Sequence, residues 1–228
     1  ELAREDVFVE FQPKIDARDL TCCGAEALVR MRDSNGKVVP PGVFVPVAES
    51  CGLIDAICRT VMRKSVEQAR EWQAMGLKIP VAVNVSPIQF ARPDFAESLA
   101  DWVRQTGLEP GLLEIEVTES TAMSDIAGSE ERLRMIADAG IRIAIDDFGT
   151  GFSNISQLSR LPYDVLKIDR SLVSGIGEDA RSETILASLI AMAEGLGYET
   201  VAEGVETTRQ AAFLQRKGCT ALQGYLFA

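Results

Sequence analysis

Short apolar runs that end in a polar residue alternate along the chain with longer segments whose apolar residues recur every three to four positions. The short runs predict strands at residues 77–86, 112–119, 141–147, 164–169, 200–204 and 220–224. The periodic segments predict amphipathic helices at residues 53–75, 91–106, 124–139, 179–196 and 207–217. Regular strand–helix alternation predicts a parallel sheet covered by helices.

Two further strands are predicted near the start of the chain, at residues 7–15 and 22–32. Only a short polar turn separates them, which indicates a hairpin because parallel strands need a longer crossover. The total of about eight strands is the number that a (β/α)8 barrel requires. We therefore predict an α/β fold, a (β/α)8 TIM-type barrel with an antiparallel first strand, and an open doubly wound sheet is the alternative. The 228 residues suit a single domain over 1–228.

The composition excludes several classes of function. The chain has 34 acidic and 23 basic residues, a net charge of −11, so no global field attracts DNA. It contains no histidine, which excludes serine–histidine triads and the commonest zinc sites. The five cysteines are odd in number and form no C-x-x-C motif, so we predict buried, unpaired thiols at Cys22, Cys23, Cys51, Cys58 and Cys219.

No apolar run approaches the ~18 residues of a membrane-spanning helix, and no basic-then-apolar leader precedes the first strand. The chain opens with Glu1 instead of Met. We expect a cytoplasmic domain excised from a longer multidomain protein, which could itself carry a membrane anchor.

Polar residues stand where the predicted strands end, the edge at which such barrels place their active sites. They are Glu26, Asn84, Glu116, Asp146, Asp147, Lys167, Glu203 and Gln223. Each alone is compatible with a solvated strand end, an ion pair or a helix cap. Bringing these acids together costs electrostatic free energy, because two carboxylates ~4 Å apart repel by about 4 kcal/mol at an effective dielectric of 20. Either some acids stay protonated or cations are bound.

The available ligands are all hard oxygens, which favours Mg²⁺ or Mn²⁺ over zinc. The adjacent acids Asp146 and Asp147 would allow two ions, the usual arrangement for displacement at phosphorus. Lys167 would orient or help deprotonate a water and stabilise transition-state charge. Gly149 and Gly151 make residues 148–154 a candidate lid loop.

The motifs at these positions resemble a known family. Glu26-Ala27-Leu28 with Arg30 is similar to the signature of the EAL domain phosphodiesterases of bacterial cyclic di-GMP signalling. Further motifs agree in order and spacing: FQP at 11–13, NVSP at 84–87, EVTE at 116–119, DDFGTGFS at 146–153, LKIDR at 166–170, AEGVE at 202–206 and QGYLF at 223–227. The departures are Asn154, where members usually have a second serine, and Ala228, where members usually continue.

The resemblance implies a barrel that hydrolyses cyclic di-GMP to linear pGpG with two divalent ions. Glu26, Asn84, Glu116 and Asp146 match the family's first metal site. Asp146 and Asp147 match the second, with Glu203 nearby. Lys167 and Glu203 match the catalytic residues that handle the attacking water, and the sequence does not identify which one is the base.

The resemblance also implies substrate-binding residues, which are Gln12, Leu28, Arg30, Glu206, Gln223 and Tyr225. Glu119 matches the glutamate that stabilises the loop after Asp147. A homodimer is expected through helices near residues 148–154, with residues 179–196 as a candidate surface. Sensor or GGDEF-type domains are expected upstream in the full-length protein.

Two other functions remain open. A degenerate member of the family would bind cyclic di-GMP without cleaving it, but here every matched metal ligand and Lys167 are present. A different metal-dependent barrel enzyme would act on small phosphorylated or enolisable substrates. Failure to bind cyclic di-GMP would favour that third function.

Overall fold

The computed structural model of the protein describes residues 6–149 and 160–228. The strands are β1 (Val7–Asp16), β2 (Cys22–Arg32), β3 (Val38–Val39), β4 (Val81–Asn84), β5 (Leu113–Thr118), β6 (Arg142–Phe148), β7 (Val165–Ile168), β8 (Glu199–Ala202) and β9 (Ala221–Leu222). The helices are α1 (Pro41–Ser50), α2 (Ile54–Ala74), α3 (Pro87–Phe90), α4 (Phe95–Thr106), α5 (Glu119–Ser124), α6 (Ile126–Asp138), α7 (Arg170–Ser174), α8 (Ala180–Gly195) and α9 (Thr208–Arg216).

Eight of the strands close into a barrel. Their order is β1-β9-β8-β7-β6-β5-β4-β2, and β1 also pairs with β2, while β3 extends β2 outside the ring. Strand β1 runs antiparallel to both β2 and β9, and the other neighbours in the ring are parallel. The predicted barrel with an antiparallel first strand is confirmed. An open doubly wound sheet is excluded because its two edge strands would not pair with each other.

The strand register brings the carboxyl ends of the strands to one rim. Asn84 lies beside Glu116, and Thr118 lies beside Asp146 in the parallel pairs. The antiparallel hairpin places Gln12 opposite Glu26. Polar residues that are far apart in sequence therefore share one end of the barrel.

The helices bury their apolar stripes against the barrel wall, as α2 does with Ile57, Val61 and Val66. The predicted helices are confirmed to within a few residues, except that the one expected from residue 91 begins at Phe95. It starts late because residues 91–94 form a turn, closed by the Phe95 N–H on Arg92 O, after the separate helix α3 has ended at Phe90. The short helices α1, α3, α5 and α7 do not correspond to predicted helices. Across the described residues, no helix combines the length and apolar character needed to cross a bilayer.

The prediction of buried cysteines is wrong for three of the five. Cys22, Cys23 and Cys51 are exposed, Cys58 is half-buried and Cys219 is buried. Cys22 and Cys23 begin β2 beside the hairpin turn, and Cys51 follows the last residue of α1. These positions lie at element ends, where apolar character does not ensure burial.

Candidate active site

Four carboxylates surround one buried lysine at the carboxyl end of the barrel. Lys167 lies on β7 with its side chain 1% exposed. Its Nζ lies 2.7 Å from Glu116 Oε2, 2.7 Å from Glu203 Oε1, 3.2 Å from Asp146 Oδ2 and 3.5 Å from Glu26 Oε2. The fold thus brings together five of the predicted metal-ligand and catalytic residues.

Amide side chains hold Glu26 from two sides. Asn84 Nδ2 donates to Glu26 Oε1 at 2.7 Å, and Gln223 Nε2 donates to Glu26 Oε2 at 2.7 Å. The same Gln223 amide also donates to Gln12 Oε1 at 2.9 Å. Gln223 Oε1 is buried and accepts no hydrogen bond from the part of the chain that the structure describes. An orphaned buried oxygen of this kind is available to a ligand, a water or a metal.

A second buried lysine, Lys14, is not among the predicted site residues. Its Nζ lies 2.7 Å from Glu114 Oε1 and 2.9 Å from Glu116 Oε1. Glu114 also accepts from Arg142 Nε at 3.2 Å. The two-residue period of β1 could have identified Lys14, because it places Lys14 on the same face as Gln12. Glu116 is therefore held between two ammonium groups.

Burial makes three of the carboxyl groups harder to ionise than usual. Desolvation raises the pKa of Glu26 and of Asp146, although Lys167 opposes the shift in both. It raises the pKa of Glu203 to about 7, again against the attraction of Lys167. Because desolvation is the largest cause, these shifts reflect burial. The surplus of negative charge is seen in the contacts themselves, since four carboxylates surround Lys167.

Glu116 and Lys167, the two most buried charged groups of this site, are both ionised. Burial alone would raise the pKa of Glu116, but the charges of Lys14 and Lys167 lower it to about 2. Burial alone would likewise lower the pKa of Lys167, and the surrounding carboxylates raise it well above its ordinary value. Lys167 therefore remains an ammonium ion at neutral pH.

Asp147 differs from its neighbour Asp146 in exposure. The pairing of β6 with β7 shifts register between Ile145 and Phe148, as at a bulge, and Asp147 adopts a φ of +58°. A bulge re-aims one side chain, and here Asp146 is buried beside Lys167 while Asp147 is exposed. The Asp147 N–H donates to Asp146 Oδ1 at 2.8 Å.

The predicted loop residues are only partly within the described chain. Glu119 is buried at the first position of α5, directly after β5. Most of the candidate lid, residues 150–154 with Asn154, lies outside the described residues, so the lid and the stabilising role of Glu119 remain predictions. On the candidate dimer surface, Ile185 and Leu196 are exposed, whereas Leu189 and Met192 pack against the core.

A cavity of about 310 Å³ opens above the carboxylates. All six residues predicted to bind substrate line it, together with Glu26, Asp146, Glu203, Arg170, Gly204 and Gly224. Arg30 donates from Nε to Glu10 Oε2 at 2.7 Å. Arg170, the first residue of α7, was not predicted. The cavity joins the buried charges to solvent.

No ready metal cage exists in residues 6–149 and 160–228, where no three acidic, histidine or cysteine side chains are arranged around a common ion position. The ammonium of Lys167 lies among the carboxylates instead. The fit to a divalent ion therefore rests on donor chemistry: an all-oxygen ligand set, surplus negative charge and the orphaned Gln223 oxygen.

The sequence is similar to known signalling proteins. The sequence model described as EAL domain matches residues 1–228. The chain is 39% identical over 226 residues to the bifunctional diguanylate cyclase/cyclic di-GMP phosphodiesterase MucR of Pseudomonas aeruginosa, covering 99% of the chain and 33% of that protein. It is 40% identical over 229 residues to the signaling protein YkoW of Bacillus subtilis, covering 100% of the chain and 29% of that protein. The chain thus spans a third or less of the length of these two relatives.

Solved structures share the fold. The PaMucR phosphodiesterase in complex with c-di-GMP superposes with a TM-score of 0.94 at 39% identity, covering 99% of this chain and 92% of that one. The FimX EAL domain from Pseudomonas aeruginosa, bound to c-di-GMP, superposes with a TM-score of 0.89 at 25% identity, covering 97% and 89% of the two chains.

Proposed function

Because the chain belongs to the EAL domain family, we propose that it is a metal-dependent phosphodiesterase that hydrolyses cyclic di-GMP to linear pGpG. The observation that carries the proposal is the cluster of Glu26, Glu116, Asp146 and Glu203 around Lys167. It lies at the floor of a cavity whose polar residues match the family's motifs.

Glu26, Asn84, Glu116 and Asp146 would hold one Mg²⁺ or Mn²⁺ ion. Asp146 and Asp147, with Glu203 nearby, would hold a second. Such ions, when bound, supply Lewis-acid stabilisation of charge at phosphorus. The support for this assignment is the all-oxygen donor set and the excess of carboxylates over lysines at the rim.

Glu203 is the better candidate for the base. Lys167 is enclosed by carboxylates and keeps its protons, so it orients neighbouring groups and stabilises developing negative charge. Glu203 has the most exposed side chain of the four carboxylates, at 22%, so it can reach a water that enters from the cavity. Its 2.7 Å contact with Lys167 fixes one oxygen and leaves the other for that water.

The rest of the cavity would position the dinucleotide. Arg30 provides a guanidinium for a phosphate. Gln12 and Gln223, joined by a hydrogen bond, place amide groups beside the carboxylates. Leu28 provides an apolar wall, and Glu206 and Tyr225 are available to a guanine at the outer end.

The test is incubation with cyclic di-GMP and Mg²⁺ or Mn²⁺, followed by chromatography of the products. We expect pGpG, no product after EDTA treatment, and recovery when the metal is restored. Absence of pGpG under every metal condition, despite measurable binding of cyclic di-GMP, would contradict the enzyme and support the second candidate.

That second candidate is a receptor module that binds cyclic di-GMP without cleavage. It is favoured by the similarity to a FimX EAL domain whose structure contains bound c-di-GMP. Isothermal titration in parallel with product analysis separates the two functions, because only the enzyme converts the bound ligand.

The context of the domain is part of the same proposal. We propose one domain over residues 1–228 in a longer cytoplasmic or membrane-anchored protein with sensor or GGDEF-type domains upstream, since the matched relatives are much longer than this chain. A homodimer would use α8, where Ile185 is exposed. Sedimentation that detects only a 24.7 kDa species would exclude the dimer for this chain.

A further inference from the structure

Arg170 is a cation that lines the cavity, together with Glu203, Glu206 and Tyr225. In the described parts of the chain it makes no ion pair or hydrogen bond through its guanidinium, whereas the other cavity arginine, Arg30, is paired with Glu10. The local structure does not favour a cation at this position. Arg170 is the first residue of α7, and a positive charge gains nothing from the N–H groups at the start of a helix.

The backbone makes room for this side chain. Gly204 follows Glu203 and has a φ of +65°. A Cβ at residue 204 would lie 2.5 Å from Arg170 Cβ, closer than real Cβ atoms approach. The stem of Arg170 therefore lies directly over the glycine that follows the proposed base.

Glu206 and Arg170 have opposite charges and line the same cavity, yet no contact within 4.0 Å joins them. Glu206 is held through its backbone, because its N–H donates to Gln210 Oε1 at 2.8 Å. Tyr225 is 80% exposed and is positioned by Gly224, where any side chain would collide with the backbone of Val205. An acceptor, a forked donor and an aromatic face therefore surround one open space.

These three groups complement a guanine base. Guanine offers O6 and N7 as adjacent acceptors, which a guanidinium binds in a bidentate manner. Its N1–H and 2-amino group are donors suited to a carboxylate, and its ring stacks on an aromatic side chain. Adenine would present a donor in place of O6 and lacks the 2-amino group.

We propose that Arg170 is a specificity-determining residue that binds O6 and N7 of one guanine of the substrate, opposite Glu206 and against Tyr225. The inference rests on the proposed function, because it takes cyclic di-GMP as the ligand. Arg30 and Arg170 serve different parts of that ligand: Arg30 lies within β2 and Arg170 follows β7, and these strands are four positions apart in the ring of eight.

The test compares cyclic di-GMP with its 7-deazaguanine analogue, which lacks the N7 acceptor. Affinities are measured by isothermal titration in Ca²⁺, with product analysis to verify that the ligand stays intact. For the wild-type protein we expect about tenfold weaker binding of the analogue, since a hydrogen bond from a charged donor is lost. Arg170→Ala should bind cyclic di-GMP about 10- to 100-fold more weakly and should not distinguish the two ligands.

The control is Arg181→Ala, which removes an exposed arginine from the first turn of α8, outside the cavity, and should leave both affinities unchanged. If Arg170→Ala keeps the tenfold preference for cyclic di-GMP, or binds it as tightly as the wild-type protein does, the role of Arg170 is wrong although the proposed function stands. If the wild-type protein binds no cyclic di-GMP, the proposed function fails and the inference fails with it.

Discussion

Replacing Lys14 by methionine removes a buried charge while keeping an unbranched side chain of similar length. Lys14 Nζ lies 2.7 Å from Glu114 and 2.9 Å from Glu116. Removing one partner of a buried ion pair costs about 3–5 kcal/mol. Both carboxylates keep a second cation, because Glu114 contacts Arg142 and Glu116 contacts Lys167. We therefore expect the lower end, a loss of about 3 kcal/mol in the free energy of unfolding.

Urea unfolding followed by circular dichroism measures this loss. The matched control is Lys78→Met, which removes the same group from a surface pair with Glu109, where the lysine side chain is 71% exposed. Exposed pairs contribute less than about 1 kcal/mol, so this variant should unfold nearly as the wild-type protein does. Equal stability of the two variants at pH 7 would refute the reasoning that Lys14 compensates buried carboxylates.

The pH dependence provides a second check on the same variant. In the folded wild-type protein the pKa of Glu116 is lowered to about 2 from an ordinary 4.5. Its contribution to stability is therefore present above the unfolded pKa and is lost as the pH falls toward 2. In the folded Lys14→Met variant the pKa of Glu116 should be higher, because one of its two cations is gone. The difference in free energy of unfolding between the wild-type protein and Lys14→Met should therefore be constant from pH 8 to about 5 and become smaller below about pH 4.5.

The remaining predictions concern the base, a helix cap and the cysteines. Glu203→Gln should lower kcat by about 10²- to 10⁴-fold with KM and circular dichroism unchanged, and a full rate would exclude Glu203 as the base. Gln210→Ala removes the bonds that Gln210 Oε1 accepts from the N–H groups of Glu206 and Thr207, so urea unfolding should show a loss of about 1–2 kcal/mol. The Cys219 thiol, buried and with its pKa raised to about 11 by desolvation, should react with a thiol reagent at pH 8 only after unfolding, whereas Cys51 should react in the native protein. If Cys51 and Cys219 reacted with the reagent at equal rates in the native protein, the burial of Cys219 would be contradicted.

Lys167 is less suitable for a loss-of-function variant than Glu203. Its ammonium is the shared partner of four carboxylates. Removing it would leave those charges facing one another in a buried site, so a loss of activity could not be separated from a loss of structure. Glu203→Gln keeps the shape of the side chain and relieves repulsion.

The type and order of the elements follow from local patterns in the amino-acid sequence. Period-two apolar runs and 3.6-residue stripes are local properties, because each strand or helix must bury one face. The short turn between β1 and β2 specified the antiparallel hairpin, and the polar residues at strand ends identified Glu26, Glu116, Asp146 and Glu203 as a candidate site. The motifs at those positions then identified the family.

Which of these side chains meet depends on how the strands pair and the barrel closes. Barrel closure brings Lys14 beside Glu116, the irregularity in β6 leaves Asp147 exposed next to the buried Asp146, and the absence of a side chain at Gly204 lets Arg170 lie beside the cavity. Burial of the cysteines was decided in the same way, by where each element end falls on the surface. Such contacts depend on register and closure across strands that are distant in sequence, as in the Glu116–Lys167 pair, whose members are 51 residues apart. No periodicity within one segment specifies them.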